Sequence, residues 1–199
     1  INGKPAGDTH QGAFYRFKYN ITGKLQFDKT NQLQATVSKM SADASVNNAE
    51  RLADYWIFGG IYRPVYLEAY PTQHITQLSI DAKADGNFKM DVSVKNLSSA
   101  HTVMADIVDA KGKIISTIKG GTLTRDSLIQ LTARVSHPLQ WTSETPHLYK
   151  VNVHIKAGNK IIYTSSQKFG FRTIEVRHGD GIYINGKQVK LKGTNRHCW

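Results

Sequence analysis

The chain has 199 residues, of which 40% are hydrophobic and 21% charged, with a formal net charge of +11. This composition is ordinary for a soluble globular protein with a buried core, and no run approaches the roughly 18 apolar residues of a membrane-spanning helix. Cys198 is the only cysteine, which excludes an internal disulfide and argues against a cysteine-based metal site.

The positive charge is dispersed along the chain. Residues 1–72 carry a net charge of +2, residues 73–172 of +6 and residues 173–199 of +3, and no block of five like charges occurs. Most lysines alternate with apolar residues, which is typical of the solvent face of a strand rather than of a phosphate-binding surface. The sequence therefore favours neither a nucleic-acid partner nor a membrane partner.

The first segment is rich in glycine and aromatic residues and ends at Pro71-Thr72, where a proline closes a strand. INGK occurs at residues 1–4 and again at residues 184–187. Each Asn-Gly pair predicts a hairpin, because a type I′ turn needs positive φ at both central positions. Residues 41–56, SADASVNNAERLADYW, contain too many Asn and Ser for a convincing helix, and we expect a long loop with one helical turn at most.

The central segment consists of alternating strands. In residues 88–95, 128–135 and 149–155 every second residue is apolar, which is the pattern of a half-buried strand. Turn signals that contain glycine separate these runs, and short strands at this spacing predict an all-β sandwich. Trp141 and Tyr149 are assigned to its core.

Six stretches stand out in order along the chain: NGKPAGDTHQGAFYRFKYNIT, TNQLQATV, DYWIFGGIYRPVYL, PLQWTSETPHLYKVNV, FGFRTIEV and INGKQVKLKGTNRH. Each resembles a motif of the family-two glycoside hydrolases, the group of β-galactosidases, β-glucuronidases and β-mannosidases. A single match would be weak. Six ordered matches that cover nearly the whole chain are specific to the family.

The resemblance implies an interior fragment of a longer enzyme. Residues 1–72 resemble the C-terminal part of a jelly-roll sugar-binding domain, and residues 73–172 resemble a complete immunoglobulin-like β-sandwich. Residues 173–199 resemble the first hairpin and strand of a catalytic (β/α)8 barrel. Because such a barrel needs about 250 residues, only the sandwich is expected to be intact, and it is expected to brace the jelly roll against the barrel.

The same resemblance implies a retaining glycosidase, which uses two carboxyl groups about 5–5.5 Å apart. In the family both are glutamates on later barrel strands, and the acid/base glutamate follows an asparagine. This chain has four glutamates, none of which follows an asparagine: Glu50, Glu68, Glu144 and Glu175. We therefore expect no catalytic residue in this segment and no hydrolysis by the segment alone.

Four residues are candidates for substrate binding in the intact enzyme. By resemblance, Asn195, Arg196 and His197 lie at the sugar pocket, although Arg196 is equally suited to an ion pair between barrel strands. Asp54 precedes Trp56 by two residues, as does an aspartate of the galactosidase branch that contacts the sugar or a sodium ion; an aspartate in a loop also forms turns. No cofactor or metal is expected in the segment, whereas Mg or Na is expected in the parent enzyme.

Two other functions stay open. A free-standing carbohydrate-binding or adhesive β-sandwich protein predicts sugar affinity in the isolated chain, and a basic nucleic-acid binder predicts a contiguous cationic face.

The resemblance favours a β-galactosidase acting on a β-linked oligosaccharide or glycoside, because β-glucuronidases usually carry lysine in place of Arg196. A homo-oligomeric parent, periplasmic or secreted by a bacterium, is the accompanying expectation. Sugar specificity and cellular location do not follow from the sequence.

Overall fold

The computed structural model describes residues 1–52, 58–97 and 99–195. The chain divides into two compact units, one comprising Ile1–Leu67 and Gly193–Trp199 and the other comprising Glu68–Lys192. The domain boundaries predicted after residues 72 and 172 stay predictions.

Seven strands of the larger unit form two antiparallel sheets. Their bounds are β1 His74–Ala82, β2 Asn87–Lys95, β3 His101–Val108, β4 Ile114–Leu123, β5 Ser127–Arg134, β6 Tyr149–Ala157 and β7 Lys160–Phe169. One sheet has the order β1-β2-β5 and the other the order β4-β3-β6-β7. The all-β, immunoglobulin-like sandwich predicted from the alternating runs is confirmed.

The core lies between the two sheets and is filled from both sides. On β2 and β6 every second side chain is buried, because consecutive residues of a strand point to opposite faces. Burial of side chains of this size contributes about 1.5–3 kcal/mol each. Seven of them are at most 2% exposed: Phe88, Met90, Val92, Val94, Val151, Val153 and Ile155.

One region of the core is aromatic. The ring centroid of Phe169 lies 5.1 Å from that of Phe88 and 5.2 Å from that of Phe171, and Tyr149 meets Phe171 edge-on at 5.1 Å. The Tyr149 hydroxyl accepts a hydrogen bond from the Leu139 amide at 2.9 Å. The predicted core position of Tyr149 is confirmed, and its one polar atom is satisfied.

Trp141, in contrast, is not a core residue, so that prediction is wrong. Its side chain is half-buried, and the guanidinium carbon of Arg172 lies 4.6 Å from the centre of its ring. A β-carbon on Gly170 would lie 2.6 Å from the Trp141 β-carbon. Trp141 therefore packs against the half-buried backbone of Gly170 and under the exposed Arg172 side chain, which keeps it at the rim of the sandwich.

Three further strands follow the sandwich: β8 Ile174–Arg177, β9 Gly181–Ile184 and β10 Lys187–Val189. They form a separate antiparallel sheet in the order β10-β9-β8. Asn185 and Gly186 join β9 to β10 with φ values of 52° and 77°, so the hairpin predicted from the second INGK is confirmed. The barrel strand predicted after this hairpin stays a prediction.

In the smaller unit, the long loop predicted around residue 47 is wrong, because Ala44–Arg51 forms an eight-residue helix, α1. The Asp43 carboxylate caps it by accepting from the Ser45 amide at 2.8 Å. Hydrogen bonds from Ser45, chiefly from its hydroxyl, hold the pKa of Asp43 below its usual value. Asn47 also supports the helix start, since its Nδ2 donates to the Ser41 carbonyl at 2.8 Å. The polar residues that argued against a helix serve as its caps.

The first INGK stretch forms the predicted turn, in which the Lys4 amide donates to the Ile1 carbonyl at 2.9 Å and both central residues have positive φ. No strand lies among the described residues before His74, so this turn joins no strands and the hairpin predicted here is wrong. The jelly roll predicted for residues 1–72 stays a prediction.

Two glycines have similar backbone angles but different surroundings, so replacing each of them by alanine distinguishes the cost of backbone strain from the cost of steric overlap. Gly86 has φ of +90° and Gly112 has φ of +85°, but an added β-carbon would meet the Val135 carbonyl oxygen at 1.9 Å at Gly86 and nothing within 4 Å at Gly112. We expect Gly112→Ala to cost about 1–3 kcal/mol through strain alone. Gly86→Ala is expected to cost at least about 2 kcal/mol more.

Urea unfolding of the two variants and the parent chain, followed by circular dichroism, measures these free energies. Equal losses in the two variants would show that the turn after β1 does not pack against the end of β5 as described.

Candidate functional site

Only one of the four candidate substrate-binding residues, Asn195, lies within the described residues. It is exposed and belongs to no helix or strand. Asp54, Arg196 and His197 lie outside the described residues, so all four assignments stay predictions. The structure does describe how the sandwich connects to the small sheet of β8, β9 and β10, which precedes Asn195 in sequence.

This connection is a polar junction formed by Trp141, Arg172, Thr173 and Asn185. Thr173 and Asn185 hold each other through two hydrogen bonds. The Asn185 amide donates to the Thr173 carbonyl at 2.8 Å, and the Thr173 amide donates to Asn185 Oδ1 at 2.9 Å. The turn between β9 and β10 is thereby tied to the residue that precedes β8, which restricts hinge motion at the start of the small sheet.

Two side chains of the junction also bond to the sandwich. Asn185 Nδ2 donates to the Trp141 carbonyl at 3.0 Å, and the Ala84 amide donates to Thr173 Oγ1 at 3.1 Å. Trp141 belongs to the connection between β5 and β6, and Ala84 to the turn between β1 and β2. Three chain segments that are distant in sequence therefore meet at two polar side chains.

Backbone hydrogen bonds anchor the chain immediately before the junction. The Arg172 amide donates to the Ala82 carbonyl and the Trp141 amide donates to the Phe171 carbonyl, each at 2.9 Å. Phe171 is fully buried, so the chain leaves the core at a fixed point. The contact between Arg172 and the Trp141 ring adds about 0.5–1 kcal/mol at an exposed site.

The four glutamates each contact a neighbour that is not a carboxylate. A general acid needs a pKa raised toward neutrality, whereas hydrogen bonds from its own backbone amide and from the Ser143 hydroxyl hold the pKa of Glu144 below its usual value. The four contacts are those of Glu50 with the Ala13 amide at 2.8 Å, Glu68 with the Tyr70 hydroxyl at 2.6 Å, Glu144 with the Ser143 hydroxyl at 3.0 Å and Glu175 with Arg177 at 2.8 Å.

A compact charged cluster lies on one face of the small sheet. The Arg177 guanidinium carbon lies 3.6 Å from the centre of the Tyr183 ring, and the Tyr183 hydroxyl donates to Asp180 at 2.7 Å. The hydrogen bond to Glu175 is the main cause that raises the pKa of Arg177. These contacts are all between β8, β9 and the turn that joins them, so they stiffen that hairpin.

A metal site does not emerge from the described residues. Within residues 1–52, 58–97 and 99–195, no three His, Cys, Asp or Glu side chains gather into a group that could hold a metal ion. Asp54, the sodium candidate of the parent enzyme, lies outside this range, so no step through a metal is derived. In the same part of the chain, no helix is long and apolar enough to span a lipid bilayer.

With this geometry in view, the comparisons with known proteins assign the family. The family model described as "Glycosyl hydrolases family 2" matches residues 72–172, half of the chain, and these residues include the whole sandwich. The chain belongs to glycosyl hydrolases family 2. The resemblance found in the six sequence motifs is thereby confirmed.

Curated family-2 relatives align with nearly the whole chain. A β-galactosidase of Thermoanaerobacter pseudethanolicus is 28% identical over 99% of this chain and 27% of its own length. A putative β-glucuronidase of Formosa agariphila is 30% identical over 99% of this chain and 24% of its own length. The chain thus spans about a quarter of the length of these relatives.

Two solved structures support the family-2 fold. A β-glucuronidase of Parabacteroides merdae has a TM-score of 0.57 and 26% identity over 73% of this chain and 19% of its own chain. A β-glycosidase of Bacteroides vulgatus has a TM-score of 0.58 and 25% identity over 69% of this chain and 18% of its own chain.

Sequence reasoning identified Asn185 as a turn residue but not as the centre of a junction. The signal that was available was the FGFRTIEV motif, which places Thr173 two residues after the buried Phe171. Which loops meet Thr173 and Asn185 depends on the sandwich topology, and a single sequence does not specify that contact.

Replacing Asn185 by glycine tests the junction without adding backbone strain, because glycine accepts positive φ. The variant loses the bonds of Asn185 Oδ1 and Nδ2, worth about 1 kcal/mol each. Amide hydrogen exchange at Thr173 should therefore accelerate by about 30-fold.

His137→Gly is the matched control, since His137 also has positive φ, at 49°, and is exposed. It should leave exchange at Thr173 unchanged. Unaltered exchange in Asn185→Gly would show that the two side-chain bonds do not hold the small sheet in place.

Proposed function

We propose that this chain is a non-catalytic segment of a retaining exo-β-glycosidase, most like a β-galactosidase, in which the sandwich braces a jelly-roll domain against a catalytic barrel. The junction at Thr173 and Asn185 carries the proposal. It fixes the small sheet to the sandwich at the point from which the chain continues toward Asn195, and a brace needs such a fixed connection.

The chemistry of a retaining glycosidase requires that its reacting groups be held at fixed positions. The two catalytic carboxyl groups work at a separation of about 5–5.5 Å, and a displacement of about 1 Å costs about 100-fold in rate. A loose connection at the entry to the barrel would transmit its motion to the first barrel strand. Hydrogen bonds from three chain segments, together with the buried Phe171 side chain, suppress that motion.

The substrate we propose is a β-linked galactoside. The Asn-Arg-His order at residues 195–197 supports this choice, as do the β-galactosidases among the relatives. In the parent enzyme Asn195, Arg196 and His197 would contact sugar hydroxyls or a catalytic carboxylate, and Asp54 would reach the sugar or a sodium ion. The exposed position of Asn195 leaves its amide accessible for such a contact.

None of the four glutamates follows an asparagine, as the acid/base glutamate of the family does, and the pKa of Glu144 lies below its usual value; both observations support an inactive segment. We expect the 199-residue chain to release no nitrophenol from p-nitrophenyl β-D-galactopyranoside above the rate of the heat-denatured chain. Release that scales with chain concentration and survives repurification would contradict this part of the proposal. Measurable affinity of the isolated chain for lactose would favour a free-standing carbohydrate-binding protein instead.

The brace itself is tested in the parent enzyme. Asn185→Gly should lower kcat for the nitrophenyl galactoside at least about tenfold, because looser entry to the barrel misplaces the reacting groups. His137→Gly should retain the parent value. If Asn185→Gly accelerates amide exchange at Thr173 but leaves kcat and thermal inactivation unchanged, the sandwich does not act as a brace.

A further inference from the structure

The outer face of the four-stranded sheet is strongly cationic. It presents four lysines, one from β4, two from β6 and one from β7, and we refer to it as the cationic face: Lys119, Lys150, Lys156 and Lys168. Three of these are exposed and Lys156 is half-buried. None of them has a carboxylate within ion-pair distance among the described residues.

The strand register concentrates this charge. Lys150 of β6 lies directly opposite Lys168 of β7, and like charges at facing positions of adjacent strands are destabilising. Lys119 lies opposite Met104 and Lys156 opposite Thr102, so neither has an acidic partner across its ladder. The repulsion between Lys150 and Lys168 lowers the stability of the sheet unless a bound anion neutralises the two lysines.

The four strands contain a single carboxylate, Asp106, and it is already engaged. Asp106 Oδ1 accepts from the Thr117 hydroxyl at 2.6 Å, and Asp106 Oδ2 lies 3.5 Å from His154 Nε2. The side chains of Asp106 and His154 are each only 15% exposed. The Asp106 carboxylate is therefore hydrogen-bonded within the face and largely covered from solvent.

Between the lysines lies a row of ordered hydroxyl and amide groups. His154 Nδ1 lies 2.9 Å from the Thr164 hydroxyl, and the Ser166 hydroxyl donates to Asn152 Oδ1 at 2.7 Å. Such groups have further hydrogen-bonding capacity toward solvent. The tyrosine and phenylalanine residues of these strands, in contrast, pair with inward-facing positions, as Tyr163 does with Ile155. The His154 imidazole is on this face, but its side chain is only 15% exposed, which leaves little ring surface for a nucleobase to stack on.

The three-stranded sheet provides a contrast on the same sandwich. There Lys83 lies 2.9 Å from Asp81 and Lys95 lies 3.5 Å from Asp126, and Lys89 faces Asp81 in the strand register. Each lysine has a carboxylate beside it. Of the two outer faces, that of the four-stranded sheet therefore carries the larger excess of positive charge.

We propose that the cationic face binds an acidic polysaccharide, a polymer of sugars that carries carboxylate or sulfate groups. Lys150 and Lys156 are six residues apart on β6, a span of about 20 Å in a strand, which suits an extended polymer of several sugar units. The lysines pair with its anionic groups and the hydroxyl row bonds its hydroxyls. The choice of a polysaccharide over another polyanion rests on the proposed glycosidase function.

Affinity electrophoresis of the 199-residue chain in native gels tests this surface. Gels that contain alginate, a polyuronate, or dextran sulfate should retard the chain, whereas gels that contain neutral dextran should not. The variant K119Q/K150Q/K168Q should lose at least about tenfold in apparent affinity for both acidic polymers. The variant K83Q/K89Q/K95Q makes the same change in net charge on the opposite sheet and should retain the affinity.

Three outcomes would overturn the proposal: no retardation of the chain by either acidic polymer, equal losses in the two triple variants, or tighter binding to duplex DNA than to alginate at the same salt concentration. Circular dichroism confirms that each variant is folded. Because the gels measure binding without catalysis, failure of this proposal is separate from failure of the nitrophenyl galactoside test.

Discussion

Burial of the aromatic end of the sandwich core is the constraint on which the rest of the larger unit depends. Phe169 and Phe171 pack with Phe88 and Tyr149, and Phe171 is fully excluded from solvent. The chain direction at Arg172 follows from this packing, because the residue after a buried side chain has little freedom. The junction is built on that fixed exit.

The junction adds directional hydrogen bonds to the non-directional packing of the core. Side-chain burial is not directional and does not by itself orient a neighbouring sheet. Hydrogen bonds are directional, and the reciprocal pair between Thr173 and Asn185, with its links to Ala84 and Trp141, sets the start of the small sheet relative to the sandwich. The proposed brace depends on this order between the small sheet and the sandwich.

Periodicity predicted the sandwich well, because strands with one buried face must alternate. Phe88, Met90, Val92 and Val94 lie where that pattern placed them. The helix α1 was missed, because Ser and Asn lower helix propensity inside a helix but stabilise its first turn when their side chains bond the backbone. Trp141 was misplaced because a cation and a close glycine compensate for its partial exposure.

The candidate site was less accessible to sequence reasoning. Asn185 was identified through the φ requirement of its turn, but its partners come from loops 12 and 44 residues away, and no local pattern encodes that meeting. The cationic face could not be predicted from the charge distribution along the chain either. Its lysines lie on three strands and are brought together only by the order β4-β3-β6-β7.

The Asn-Gly sequence at the junction also sets a limit on the chemical lifetime of the protein. Asparagine is among the thermolabile residues, and loss of its amide nitrogen would turn Asn185 into an aspartate. The backbone could keep its left-handed turn, but the new carboxylate oxygen would face the Trp141 carbonyl in place of a donor. Loss of this one donor would therefore remove the bond to the Trp141 carbonyl, while the hydrogen bonds between Thr173 and Asn185 and between Ala84 and Thr173 stayed in place.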